Sequence, residues 1–287
     1  MSEAQSATHV KRQRIFWLVL TGLFILRIPF FAGLDLFEIR WRWTEPIYEI
    51  GTLALTMFLV WWSLDHLADY NVDTLVLLII IIFAPVQTLI LKYWGLEHPL
   101  AFPSIPSLII WLLSVIFAAA MWRKRSKLAR VKLTSLAWFF IGGLAGLGIS
   151  VLLSYPFSLQ ISAEELSHGL SAKETLANIP LSFIYQIGYA AVPEEPLFRG
   201  FLWGGLEKSN WRGVWIWLFQ AVLFTMAHIY TLPVYPLSFW VIIPVFSLVL
   251  GWLAWRSRTV ASSMAAHGIM NATGYAFAYL AALNGVR

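Results

Sequence analysis

The chain contains no cysteine, which excludes a thiol nucleophile, disulfides and thiolate metal sites outright. Charged residues are scarce as well, at 12% of 287 positions. A soluble globular domain carries about twice that fraction, so an ordinary water-facing surface is missing. What stands in its place is apolar: 59% of the residues are hydrophobic and the mean hydropathy is +0.72. These deficits describe an all-α, polytopic membrane protein. The net charge of +5, with pI ≈ 9.5, does not point to nucleic acid, because the lysines and arginines flank apolar runs. That placement sets orientation in a bilayer, and the sixteen tryptophans suit its two interfaces better than they suit base stacking.

Apolar runs fall at about 15–34, 47–64, 74–91, 105–122, 133–154, 179–207, 212–229, 237–255 and 260–282. They predict a bundle of about eight or nine transmembrane helices. The first run, interrupted by Arg27 and Pro29, reads as a retained helix, since no small-x-small cleavage site follows it. With the N-terminus in the cytoplasm, Lys11, Arg12, Arg14, the run Arg123 to Lys132, Lys208, Arg212, Arg256 and Arg258 all fall on the inner side. The opposite connections are poorer in Lys and Arg, so the positive-inside rule is satisfied. The expected location is a membrane, read as the bacterial inner (plasma) membrane.

Three regions follow: N-terminal helices of unassigned role at 1–154, an amphipathic connection at 155–178, and a chemically distinctive C-terminal part at 179–287. Gly142, Gly143, Gly146 and Gly148 sit inside an apolar run with no Lys-Ser/Thr after them. They signal close helix packing and not a phosphate loop. Glu164, Glu165 and His168 in the connection read as a solvated helix face.

Residues 193 to 200 read Pro-Glu-Glu-Pro-Leu-Phe-Arg-Gly near the end of an apolar run. An ionisable group at membrane depth costs at least ~2.5–3.5 kcal/mol, so each needs a partner, water or a purpose. Glu195 and Arg199 are four apart, on one helical face, and form a natural ion pair. Glu194 lies about 100° round the helix and is left for other work. Two further patterns stand in later spans: Phe224-x-x-x-His228 and His267-x-x-x-Asn271. A carboxylate base, imidazoles and an amide donor are the groups that water activation and oxyanion stabilisation require. By helical rise, Glu194, His228 and His267 lie about 20, 24 and 10 Å from the inner ends of their spans. They meet inside the membrane, in a water-accessible cavity, only if the helix carrying Glu194 continues past Arg199 to Glu207.

These three motifs together resemble those of the CPBP intramembrane proteases, also called the Abi or CAAX-protease family. That family takes in the Ras-converting CAAX endopeptidases and bacterial proteins linked to bacteriocin processing and self-immunity. The resemblance covers about residues 180 to 282. It implies an endopeptidase with membrane helices around a conical cavity, acting on a membrane-associated peptide or protein, prenylated or not. It implies Glu194 as the general base, His228 as a holder of the water, and His267 with Asn271 as oxyanion stabilisers. Glu195 and Arg199 would brace the first motif, and Phe224 would pack beside the site. The family has been described both with and without metal. Glu194, His228 and His267 could supply a three-ligand zinc site, but Asn271 is a poor zinc ligand and a good oxyanion donor, which favours a site requiring no cofactor.

Two readings of other classes use the same residues. One is a non-catalytic immunity or peptide-binding membrane protein of the same fold. The other is a transporter with Glu194, Arg27 and the histidines on an ion path; no inverted repeat supports it.

Overall fold

The computed structural model describes residues 10, 13–14, 16–22, 44–94, 104–125, 128–162, 166 and 171–285. Most of the first expected span, with Arg27 and Pro29, lies outside them, as do Glu164, Glu165 and His168. Among the described residues every regular element is helical. A helical piece at 16–22 precedes α1 (Thr44–Trp62), α2 (Thr74–Tyr93), α3 (Ile105–Arg123) and α4 (Leu133–Ser158). The C-terminal part holds α5 (Ala172–Gln186), α6 (Val192–Glu195), α7 (Trp203–Lys208), α8 (Gly213–Met226), α9 (Ile243–Ser257) and α10 (Val260–Leu283).

Local chemistry fixes where these helices start and stop. Asp73 accepts the Val76 amide at 3.1 Å as the cap of α2, and its other oxygen accepts the Ser135 hydroxyl at 2.6 Å, tying α2 to α4. Ser171 and Glu174 close a capping box at the start of α5. The hydroxyl and amide of Ser171 hold the exposed Glu174 carboxyl below its ordinary pKa. Between α1 and α2 the chain turns sharply: Leu64–Tyr70 forms a short 3-10 segment bent 107° from the end of α1. Asn71 then takes a left-handed conformation, with φ 54°, and its carbonyl receives the Val260 amide at 2.8 Å.

Among the described residues, four helical stretches are long and apolar enough to cross a membrane: Thr74–Tyr93, Ile105–Arg123, Leu133–Ser158 and Ser238–Ser257. The bent pair at Tyr48–Trp62 and Leu64–Tyr70 is a fifth when taken as one span. The other runs expected to span fall short of that length or hydropathy or, as at 15–34, lie mostly outside the described residues. Helix α8 spans only 14 residues before the chain turns, about 21 Å at 1.5 Å per residue. The stretch 172–208 is broken into pieces. On α3 and α4, leucines, isoleucines and valines such as Leu112, Ile116, Leu144 and Leu152 point outward, as lipid-facing helices require.

The centre is α10, buried without a gap from Val260 to Gly268. Its small residues let α4 come close. A Cβ at Gly142 would collide with the Ser262 carbonyl, and one at Gly146 would meet the Ala266 carbonyl at 2.5 Å. The expected packing role of this glycine cluster is thereby realised at two of its four positions. Gly142→Ala and Gly146→Ala are each expected to lower stability by about 1–3 kcal/mol through overpacking. Gly148→Ala, which meets nothing within 4 Å, serves as the neutral control. Thermal melting in one detergent compares them; equal melting of all three variants would refute the packing assignment.

The helix carrying the acidic motif does continue past Arg199. From Ala172 to Lys208 the chain stays helical, but two π-helical segments interrupt the α geometry, at Ile187–Ala191 and Pro196–Leu202. Pro193 and Pro196 lack the amide that an α turn needs, and π turns are a usual local solution at functional sites. The Pro193 carbonyl accepts the buried Thr56 hydroxyl of α1 at 3.1 Å.

Candidate active site

The two adjacent glutamates have different surroundings. Glu195 is fully buried: its Oε1 accepts from Arg199 Nη1 at 3.2 Å and from His267 Nδ1 at 2.8 Å. The ion pair expected from i,i+4 spacing therefore exists, and it has a third member. Arg199, also fully buried, donates from Nη2 to the Ser247 hydroxyl at 2.9 Å. Its guanidinium lies 4.1 Å from the centre of the Phe224 ring. Three helical stretches are thus bound through one buried polar cluster, which low dielectric makes costly to break.

Glu194 instead lines a cavity of about 1120 Å³. His228, His267 and Asn271 line the same cavity, so all four residues expected to carry chemistry share one space. His228 lies just beyond the end of α8, in the turn that follows it. Its Nδ1 is 2.8 Å from the Phe224 carbonyl, and because a carbonyl only accepts, Nδ1 carries the proton. In the neutral ring the lone pair is then on Nε2, 4.0 Å from Glu194 Oε2. Phe224 packs against both histidines, its ring centre 4.5 Å from that of His228 and 6.0 Å from that of His267.

Asn271 Nδ2 donates to Gln186 Oε1 at 3.2 Å. One amide proton is thereby committed and the other is left over, since an amide nitrogen has two. Gln186, at the end of α5, was not anticipated. The usable signal was a lone polar side chain in an apolar run two turns before Glu194. Ser247 was missed for the same reason, being a single hydroxyl inside an apolar helix. The N-terminal region, given no role from sequence, also reaches the cavity: Tyr48, Glu49 and Thr52 of α1 line it. The buried Gln87 of α2 donates to Glu49 at 2.9 Å.

Both histidines are anchored through Nδ1. His267 commits Nδ1 to Glu195, and His228 commits its own to a carbonyl. Such anchoring orients an imidazole whether its other nitrogen meets a water or a metal; among the described residues no three His, Asp or Glu side chains are grouped to hold a metal ion. What the arrangement can do is acid–base chemistry: a carboxylate beside an imidazole, with a second imidazole and an amide lining the same space.

Residues 176–273 match the family described as Rce1-like, type II CAAX prenyl endopeptidase. The matched stretch contains every residue of the three motifs, from Glu194 to Asn271. Comparison with curated proteins found no match, and comparison with solved structures found none.

Proposed function

We propose, from the match of residues 176–273 to the Rce1-like, type II CAAX prenyl endopeptidase family, that this membrane protein is an endopeptidase hydrolysing a peptide bond of a membrane-held substrate. The observation that carries the mechanism is the 4.0 Å separation of Glu194 Oε2 and His228 Nε2 across the cavity. Both are acceptors when the imidazole is neutral. A water donating one proton to each bridges acceptors about 4.4 Å apart at ordinary hydrogen-bond lengths, close to what is seen. Its lone pairs then face the cavity. Glu194 takes the proton as the water attacks the scissile carbonyl, and later delivers it to the leaving amine.

The negative charge that develops on the carbonyl oxygen needs donors. Asn271 offers its second amide proton, held in position by Gln186. His267 can donate from Nε2 when its ring carries both protons, with Glu195 accepting the one on Nδ1. Arg199 and Ser247 fix Glu195, so the buried cluster acts through His267 and does not touch the substrate.

No step in this scheme requires a metal. Hydrolysis is expected to survive exhaustive dialysis against a zinc chelator; loss of activity that zinc alone restores would contradict the scheme. The function itself is tested without knowing the substrate. Peptide termini in membranes of cells carrying wild type are compared with those carrying Glu194→Gln at equal abundance. A set of termini present only with wild type is expected, and identical sets would overturn the proposal.

A further inference from the structure

The outer side of α8 carries a second hollow, away from the catalytic cavity. Trp215, Leu218, Phe219 and Val222 recur at i, i+3, i+4 and i+7, so they form one stripe along the helix. All four are exposed, Val222 to 63%. Ile216, Gln220 and Phe224 lie on the opposite side and are buried. Trp217 fastens the helix to α9, donating from Nε1 to the Leu248 carbonyl at 2.7 Å. Together with Trp211 and Arg212, the exposed stripe lines a groove of about 670 Å³. The rings of Trp211 and Phe219 stand 5.4 Å apart along it.

The groove has a cationic head. Arg212 stands directly before α8, and Arg256 lies in the last turn of α9. A Cβ at Gly213 would meet the Trp255 ring at 2.9 Å, so the residues next to these two, Arg212 and Arg256, belong to one corner of the bundle. The acids at this corner are engaged, Asp69 with Lys208 at 3.0 Å and Glu207 with Arg258 at 3.1 Å. Among the described residues no carboxylate pairs with Arg212 or Arg256, and both are exposed. Trp211 and Trp215 lie nearest this head, where the amphipathic indole ring is at home at a membrane interface, and Leu218 and Val222 lie deeper.

We infer that this groove is a binding site for one anionic phospholipid, with the headgroup phosphate at Arg212 and Arg256 and an acyl chain along Trp215, Phe219 and Val222. A transmembrane helix of another protein fits the face badly. Helices that associate in a bilayer do so through small residues that let the backbones approach, and this stripe is built of large ones with a furrow between them. A zwitterionic lipid would fill the furrow but leave two cations uncompensated at its head. Because the other side of α8 presents Phe224 and the helix leads into His228, a lipid seated here braces the element that positions the imidazole.

The test uses the full-length protein in detergent, titrated with phosphatidylglycerol, with phosphatidylcholine of the same acyl chains, and with inorganic phosphate. Melting temperature and the lipid retained in native mass spectra are followed; neither needs a substrate, so the outcome is independent of the hydrolase reading. Phosphatidylglycerol is expected to raise the melting temperature and to stay bound as a single copy at concentrations where phosphatidylcholine does not. Inorganic phosphate should do neither. Arg212→Gln and Arg256→Gln, both at exposed positions, should melt like wild type without lipid and should each bind phosphatidylglycerol about fivefold more weakly. Arg212→Lys should keep the preference for the anionic lipid, and Phe219→Ala should weaken both lipids. Lys173→Gln, an exposed cation at the start of α5, is the control and should bind like wild type. Equal retention of the two lipids by wild type would overturn the inference, as would an unchanged preference in the Arg212→Gln, Arg256→Gln double variant. Equal stabilisation by inorganic phosphate would refute the lipid as its source, and a second protein chain retained in place of lipid would refute the choice of occupant.

Discussion

Glu194→Gln is expected to slow peptide-bond hydrolysis by about 10²–10⁴-fold, the usual worth of a positioned general base. Glutamine keeps the shape of the side chain and its place in the cavity wall but cannot take a proton from water. Because Glu194 faces the cavity and not the buried cluster, the variant should insert, accumulate and melt like wild type. His228→Ala removes the second acceptor for the water and should also lose activity. Asn271→Ala removes an oxyanion donor, for which a loss of about 10²–10³-fold is ordinary. Rates measured on protein of matched melting temperature check all three. A Glu194→Gln rate within about twofold of wild type would leave the general-base assignment without support.

The opposite pattern is expected one turn away. Arg199→Met strips the buried Glu195 carboxylate of its charged partner and leaves the Ser247 hydroxyl without its donor. Breaking a buried pair by removing one member costs about 3–5 kcal/mol, because the remaining charge is uncompensated. The variant should melt far below wild type and, at permissive temperature, lose His267 as an oriented donor. Adding Glu195→Gln removes the stranded charge, so the double variant should recover part of the lost stability. Thermal melting of wild type, the two single variants and the double variant forms a cycle that isolates the coupling. A single Arg199→Met that costs under about 1 kcal/mol would mean the cluster is not held by its charges.

The different placement of Glu194 and Glu195 was legible from spacing alone. Four residues bring Glu195 to Arg199, and a 100° rotation turns Glu194 elsewhere. The convergence of the motifs was legible only as a condition, that the helix run on past Arg199, and it does, to Lys208. The apparent depth mismatch between Glu194 and His267 does not keep the motifs apart, since His267 reaches Glu195 at 2.8 Å. Seven residues between Glu195 and Lys208 are π-helical, and their wider turns remove only a small part of that mismatch. Partners that depend on which lone polar side chain happens to face which were not legible. Gln186 under Asn271, Ser247 under Arg199 and Thr56 under the Pro193 carbonyl are isolated polar residues in apolar helices, and only tertiary packing pairs them. The same holds for α1, whose sequence carries no motif yet whose first turns line the cavity.

The most direct test supplies purified protein to its own uncut substrates. Membranes from cells carrying only Glu194→Gln are incubated with reconstituted wild type or with reconstituted Glu194→Gln, and the peptide termini are identified. Wild type is expected to generate the termini missing from those membranes while Glu194→Gln generates none. Termini produced equally by both proteins would contradict the assignment of Glu194 as the base that activates water.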